Sequence, residues 1–326
     1  MKEDTYLGAL MHSEFLMVIH SLLLLIILDE IIPRILFKII NLIIKARKVY
    51  FQKLMKNSFA VLDISLKKNY SGLVSILQQG ARVLYVDHHE AGVVPQHPHL
   101  KTIINTEPTT CTSLLVDEYL KGQYRAWAVV AACGDNLLPQ AEQLAKRVDI
   151  TAAQFEQLKQ LGICINYNAY GHSVVDLHVA SDTLYQHLVQ FASPLDFLLA
   201  KADIFGELQA GYAADFQIAQ SIKPEYQDDT IGVYLLPDEA WARRINGVMG
   251  NDLANLNPQR AHAVLTYNPC GAYQVSVRAP LATKQGADEL CGLFKTGGGR
   301  KSAAGINHLP IDELTLFIEA FKKQYQ

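Results

Sequence analysis

Two short apolar runs, "NSFAVLD" (57–63) and "VLYVD" (83–87), each end in an aspartate, with one helix-sized stretch between them. Runs rich in β-branched and aromatic residues read as buried strands. Between them, "SGLVSILQQGA" (71–81) fits a short helix with Leu73, Val74, Ile76 and Leu77 on its buried side. A β-α-β unit this tight places its strands parallel in one sheet. Open parallel sheets bind ligands at the carboxyl ends of their strands. Asp63 stands at the first such end, and Asp87, His88 and His89 at the second. Polar groups in such a place are costly unless something satisfies them.

The chain continues in two textures. "TCTSLLVDEYL" (110–120) reads as a helix opened by threonine capping. "YRAWAVVAACGDNL" (124–137) reads as an apolar helix running into Gly134–Asp135–Asn136, and residues 139–222 are mostly helical in pattern. After "SIKPEYQDD" the pattern changes. "TIGVYLLP" reads as a strand, and "AHAVLTYNPCGAYQVSVRAP" (261–280) as a hairpin turning at Asn268–Gly271. A helix near 286–294 and a closing amphipathic helix complete a second, α+β domain. The 326 residues allow two domains and a substantial core. A net charge of −3 argues against a general nucleic-acid coat. The five scattered cysteines, with no CxxC pair, read as reduced thiols.

Asp63, Asp87, His88, His89 and Asp135 mix hard oxygen donors with imidazole. That set suits Mn²⁺, Fe²⁺ or Zn²⁺ better than Ca²⁺. Two such ions about 3.5–4 Å apart clamp a phosphoryl group and supply a hydroxide. Taken singly, an aspartate at a strand end is as well explained as a cap or turn residue. "TGGGRKSAAG" (296–305) adds three consecutive glycines, whose backbone N–H groups can approach an anion closely, followed by Arg300 and Lys301. It is neither GxGxxG nor a P-loop. A flexible surface turn is the plain alternative to a phosphate cradle.

In order, "VLDIS", "YVDHHE" and "AACGDN" resemble motifs II, III and IV of the DHH phosphoesterases. "WARRINGVMGNDLAN" (241–255), "SVRAP" and "TGGGRKSAAG" resemble the DHH-associated C-terminal domain, whose usual signature is GGGHxxAAG. The resemblance spans about residues 57 to 326. It implies an α/β chain: a parallel-sheet DHH metal domain over 57–200, a helical connector over 201–224, and a smaller α+β substrate-binding domain over 225–326. It implies a two-metal hydrolase of phosphodiester or phosphomonoester bonds in small nucleotides or short oligonucleotides. Mn²⁺ is the implied cofactor, with Mg²⁺ as its substitute. On this reading Asp63, His88 and Asp135 are metal ligands, Asp87 orients the histidines, and His89 faces the scissile phosphate. Arg278, Gly297, Gly298, Gly299, Arg300 and Lys301 hold the substrate, with Arg300 where the family usually has histidine. The implied partner is a nucleotide or short single-stranded oligonucleotide. No stable protein partner is implied beyond a homodimer, and the implied compartment is the cytoplasm.

The resemblance breaks at motif I, a D-x-D pair that should precede Asp63. "FLMVIH" (15–20) resembles its strand, but Leu24 and Ile26 stand four and six residues after His20, where the acids belong. Around it the composition is foreign: Ile, Leu, Lys and Phe dominate from Phe15 to Lys56, and no glycine occurs between Gly8 and Gly72. Residues 1–56 therefore read as an atypical hydrophobic segment in place of the first β-α unit. Three origins compete for residues 21–56: a natural inactive paralogue, a membrane-associated segment within 15–44, and a reading-frame lesion. The apolar run from Phe15 to Leu28 is shorter than the roughly 20 residues that a span needs. The expectation is a phosphoesterase by descent whose activity is impaired. The alternative is a non-catalytic nucleotide or nucleic-acid-binding protein.

Overall fold

The computed structural model describes residues 58–268 and 270–326. The atypical segment 1–56, with its expected loss of the first β-α unit and its membrane candidate 15–44, lies outside the described residues. Among the described residues, no helix is long and apolar enough to cross a membrane. The chain divides into two units.

One unit contains residues 58–162 and 182–202. Its sheet has β1 (Ser58–Leu62), β2 (Arg82–Asp87) and β3 (Leu100–Ile104) side by side in that order. All are parallel, with Leu62 opposite Val86 and Asp87 opposite Ile104. The expected β-α-β unit is therefore present. Its helix α1 (Leu66–Gln78) starts earlier than the sequence pattern indicates, and Asn69 leaves helical geometry inside it. The Asn69 amide and side chain both bond to the Ser65 carbonyl, which holds this first turn. Leu66, Leu73, Leu77, Ala81, Val83 and Tyr85 form the core between helix and sheet. Strand β3 carries no clear alternation, and its burial is only partial; pairing with β2 creates it.

Helices α2 (Thr112–Tyr119), α3 (Arg125–Gly134), α4 (Leu138–Ala145) and α5 (Ala152–Tyr167) follow. Every residue of α3 from Trp127 to Gly134 is buried, which explains its lack of a polar face. Helix α5 meets α3 at Gly162, where a Cβ would lie 2.1 Å from the Val130 carbonyl oxygen. Helices α6 (Ser181–Leu188) and α7 (Pro194–Ala200) complete this part of the chain, and Ser193 caps α7 through its hydroxyl.

The other unit contains Ile163–Ser181 and Asp203–Gln326. Helix α8 (Ala202–Ala219) precedes six strands: β4 (Tyr226–Gln227), β5 (Ile231–Leu236), β6 (Ala261–Asn268), β7 (Ala272–Arg278), β8 (Gly297–Gly299) and β9 (Ala303–Pro310). Their spatial order is β4-β5-β6-β7-β9-β8. Only β5 and β6 pair in parallel, across helix α9 (Ala240–Leu256). The β6–β7 hairpin turns at Asn268–Gly271, as its sequence predicts. Alternation along β5 and β6 divides the core. Val233, Ala263 and Leu265 pack with Leu290 of α10 (Ala287–Gly292) and with Phe317 and Phe321 of α11 (Leu314–Tyr325). Tyr234, Leu236 and Val264 pack with Ile245, Val248 and Met249 of α9.

Candidate metal centre

Asp63 directly follows β1 in a left-handed backbone conformation, φ 59°, which aspartate tolerates better than most side chains. Its amide donates to the Val86 carbonyl of β2 at 3.0 Å. The parallel register thus brings Asp63 beside the end of β2, where Asp87 and His88 sit. All three are buried: Asp63 is 4% exposed, His88 4% and Asp87 0%.

Partners assign the ring protons. His88 Nδ1 lies 3.1 Å from the Thr110 carbonyl oxygen. A carbonyl only accepts, so Nδ1 carries the proton and Nε2 points to Asp63 Oδ1, 3.1 Å away. His89 Nδ1 lies 2.7 Å from Asp87 Oδ1. That oxygen also accepts the His88 amide at 2.8 Å. Asp87 Oδ2 is buried with no hydrogen-bond partner among the described residues. The two imidazoles stand edge to face, with centroids 4.8 Å apart.

Asp63, His88 and His89 each offer a ligand atom, and these atoms lie within 4.8 Å of one another. The donor set fits a divalent first-row ion, combining carboxylate and imidazole with ring orientations fixed from behind. The spacing fits too. Two ligands bound at about 2.1 Å and at right angles stand about 3 Å apart, close to the 3.1 Å between His88 Nε2 and Asp63 Oδ1. Without a cation or an added proton, two lone pairs would face each other across that gap.

Thr112 was not singled out in the sequence as a member of this centre. Its hydroxyl donates to Asp63 Oδ1 at 2.7 Å. The threonine capping expected for α2 is not what the structure contains. The cap position is Cys111, which makes no side-chain cap bond. The Thr112 hydroxyl is turned to the carboxylate instead. Only the pairing of α2 against the sheet end could disclose this, because a T-x-T run before a helix looks like capping in any sequence. Asp135 is the C-cap of α3, half-buried, with its amide on the Ala131 carbonyl at 3.0 Å. It is not one of the three clustered residues.

The other sequence candidates belong to the second unit. Arg278 closes β7 and its guanidinium is held from three sides. It donates to Asn251 Oδ1 at 2.6 Å, Ser276 Oγ at 2.8 Å and the Gly247 carbonyl at 3.0 Å. The glycine run is not a flexible turn. Gly297–Gly299 form the edge strand β8 against β9. The turn is Arg300–Ala303, closed by bonds of 2.8 and 3.2 Å between the backbones of those two residues. Packing demands glycine at two of the three positions. A Cβ on Gly297 would meet the Cys291 oxygen at 1.7 Å, and one on Gly299 would meet Ala304 Cα at 2.5 Å. At Gly298 a Cβ would meet nothing within 4 Å. Lys301 is exposed in the turn, and its carbonyl accepts the Ala287 amide at 3.0 Å.

No protein-family model and no curated protein matches the sequence. Solved structures do match. A DHH-domain protein described as a member of the s1p family of ribosomal proteins is similar with a TM-score of 0.57 and 14% identity, over 81% of this chain and 68% of that one. Exonuclease RecJ bound to manganese is similar at 0.46 and 16%, over 82% of this chain and 74% of that one. A pGpG-specific phosphodiesterase from Vibrio cholerae is similar at 0.43 and 13%, over 83% and 98%. The described chain has the fold of a DHH-domain protein.

Proposed function

We propose that this chain is a metal-dependent phosphoesterase of the DHH kind, acting on phosphodiester or phosphomonoester bonds of small nucleotides or short single-stranded oligonucleotides. The observation that carries the reading is the oriented pair of His88 and Asp63, 3.1 Å apart and buried at the end of a parallel sheet. Mn²⁺ or Mg²⁺ bound there would polarise the phosphoryl oxygen and supply hydroxide near neutral pH. Asp63 and His88 would hold the ion, with Asp135 as a further ligand. Asp87 would keep His89 aimed at the phosphoryl group by accepting its Nδ1 proton. Arg278, Gly298, Arg300 and Lys301 would hold the substrate's phosphates and backbone, with Gly297 and Gly299 shaping the strand. The cytoplasm is the proposed compartment, a reading supported by five free cysteines, four of them buried.

The missing D-x-D pair favours a second reading, a nucleotide-binding protein without catalysis. Leu24 and Ile26 stand where ligands to both ions belong. One comparison decides between the readings: Mn²⁺-dependent hydrolysis of short oligonucleotides and cyclic dinucleotides by this chain, by a version with aspartates restored at 24 and 26 in a family-like strand, and by the restored version carrying His88→Ala. The restored chain is expected to hydrolyse substrate at least about 100-fold faster than this one, the usual loss on removing a preorganised charge stabiliser. His88→Ala is expected to abolish the gain. Full activity in the unrestored chain would overturn the impairment. No activity in the restored chain would favour the binding protein.

A further inference from the structure

We propose that Thr112 is a positioning residue of the metal centre: its hydroxyl, together with the Thr110 carbonyl, fixes Asp63 and His88 in their metal-binding arrangement. The inference rests on the metal reading given above. Thr110 and Thr112 flank a single residue at the start of α2, yet each holds a different ligand. The Thr110 carbonyl takes the Nδ1 proton of His88 at 3.1 Å, which leaves Nε2 with its lone pair. The Thr112 hydroxyl donates to Asp63 Oδ1 at 2.7 Å. That oxygen is also the one 3.1 Å from His88 Nε2. One hydroxyl therefore occupies one lone pair of the ligand oxygen and leaves the other directed toward the imidazole.

Burial makes the bond strong and specific. Thr112 is 1% exposed, Thr110 9% and Asp63 4%. No water competes for a donor so placed, and a charge-assisted hydrogen bond in such a setting is about twice as strong as a neutral one. Asp63 also holds a left-handed backbone, φ 59°. Substitution of partners behind metal ligands typically costs 10–100-fold in affinity. A bond serving only the fold would lower stability and leave metal affinity alone.

The experiment measures Mn²⁺ affinity of the full chain by electron paramagnetic resonance of the free ion, beside thermal melting of the metal-free protein. The proteins are the wild type, Thr112→Val, Thr112→Ser and His88→Ala. Valine keeps the shape and removes the hydroxyl; serine keeps the hydroxyl. The expected result is a 10–100-fold weaker affinity for Thr112→Val, with Thr112→Ser within about threefold of the wild type. Melting of each variant as a folded protein qualifies its affinity. Equal affinities of wild type and Thr112→Val, with His88→Ala weakened, would overturn the role of Thr112 and leave the metal centre standing. Equal affinities of wild type and His88→Ala would overturn the metal centre and the positioning role with it. If Thr112→Val fails to fold, the serine variant decides: a loss of more than about tenfold there, in a protein that melts as the wild type does, overturns the hydroxyl as the operative group.

Discussion

Single residues in this protein are placed against their ordinary preferences where the surroundings compensate. Asp63 accepts a left-handed backbone, a conformation costing on the order of 1 kcal/mol or more for a residue other than glycine. In return its carboxylate reaches both His88 and Thr112. His262 on β6 shows the opposite arrangement. It is fully buried beside Tyr234 and Arg260, and burial, with the Arg260 charge, pushes its pKa down to about 4. In the unfolded chain it titrates near 6.5. Between those values the unfolded state binds a proton that the folded state refuses, so stability falls as the pH drops from about 6.5 to about 4. The expected outcome is a loss approaching tenfold per pH unit in the folded-to-unfolded ratio from this group across that window. Urea denaturation of the wild type and of His262→Leu, run from pH 7 to pH 4, checks it. The variant should show a shallower decline, and parallel declines would refute the assignment.

At the scale of elements, contacts between backbones set the tolerances. Strand β8 is three glycines because its neighbours leave no room at Gly297 and Gly299. Gly297→Ala would drive a methyl group into the Cys291 carbonyl, so β8 would have to leave its position beside α10. A loss of more than about 2 kcal/mol is expected, in the range of strongly destabilising core changes. Gly298→Ala meets no atom but has φ 155°, so its cost should be smaller. Urea melts of the two variants should rank in that order. Helices α5, α8 and α9 are joined by another device. Tyr167 donates to Asp215, and Arg244 donates to the same carboxylate at 2.8 and 3.1 Å and to the Asp176 carbonyl at 2.5 Å. Asp215 is 4% exposed. Asp215→Ala strands the Arg244 charge inside and is expected to cost about 3–5 kcal/mol. Asp215→Leu combined with Arg244→Met should recover much of that loss, since apolar pairs often replace buried ion pairs without penalty. A double variant no better than Asp215→Ala in chemical denaturation would count against this account.

At the scale of the whole chain, the proposed chemistry and the proposed substrate contacts are distributed over two units with separate cores. The metal centre belongs to the unit built on the parallel sheet. The glycine strand and Arg278 belong to the unit built on the mixed sheet. On the proposed reading, loss of motif I would act on metal occupancy and leave the substrate contacts intact. Weak nucleotide binding is expected to survive in this chain. Arg278→Ala should damage it only together with the packing of α9, because the guanidinium already bonds Asn251 and the Gly247 carbonyl. Equilibrium dialysis with a labelled dinucleotide checks this: undiminished binding in Arg278→Ala would remove that residue from the substrate site.

Much of this was legible in the sequence because its causes are local. Alternating and continuous apolar runs specified β1, β2, β5 and the β6–β7 hairpin, since strand period and turn chemistry are properties of neighbouring residues. The same logic placed Asp63 and the Asp87–His89 triplet at strand carboxyl ends. Strands β3, β8 and β9 carried no such signal. A partly exposed "LKTII" and a run of glycines become strands only through a partner strand. The expectation of threonine capping for α2 failed for a related reason: the Thr112 hydroxyl is taken by the Asp63 carboxylate, which is distant in sequence. Sequence by itself determined which groups stand at the ends of which strands. The tertiary structure alone decided which of them meet, because hydrogen bonds of about 3 Å between residues far apart in the chain depend on register and helix placement, and neither is encoded in any short stretch.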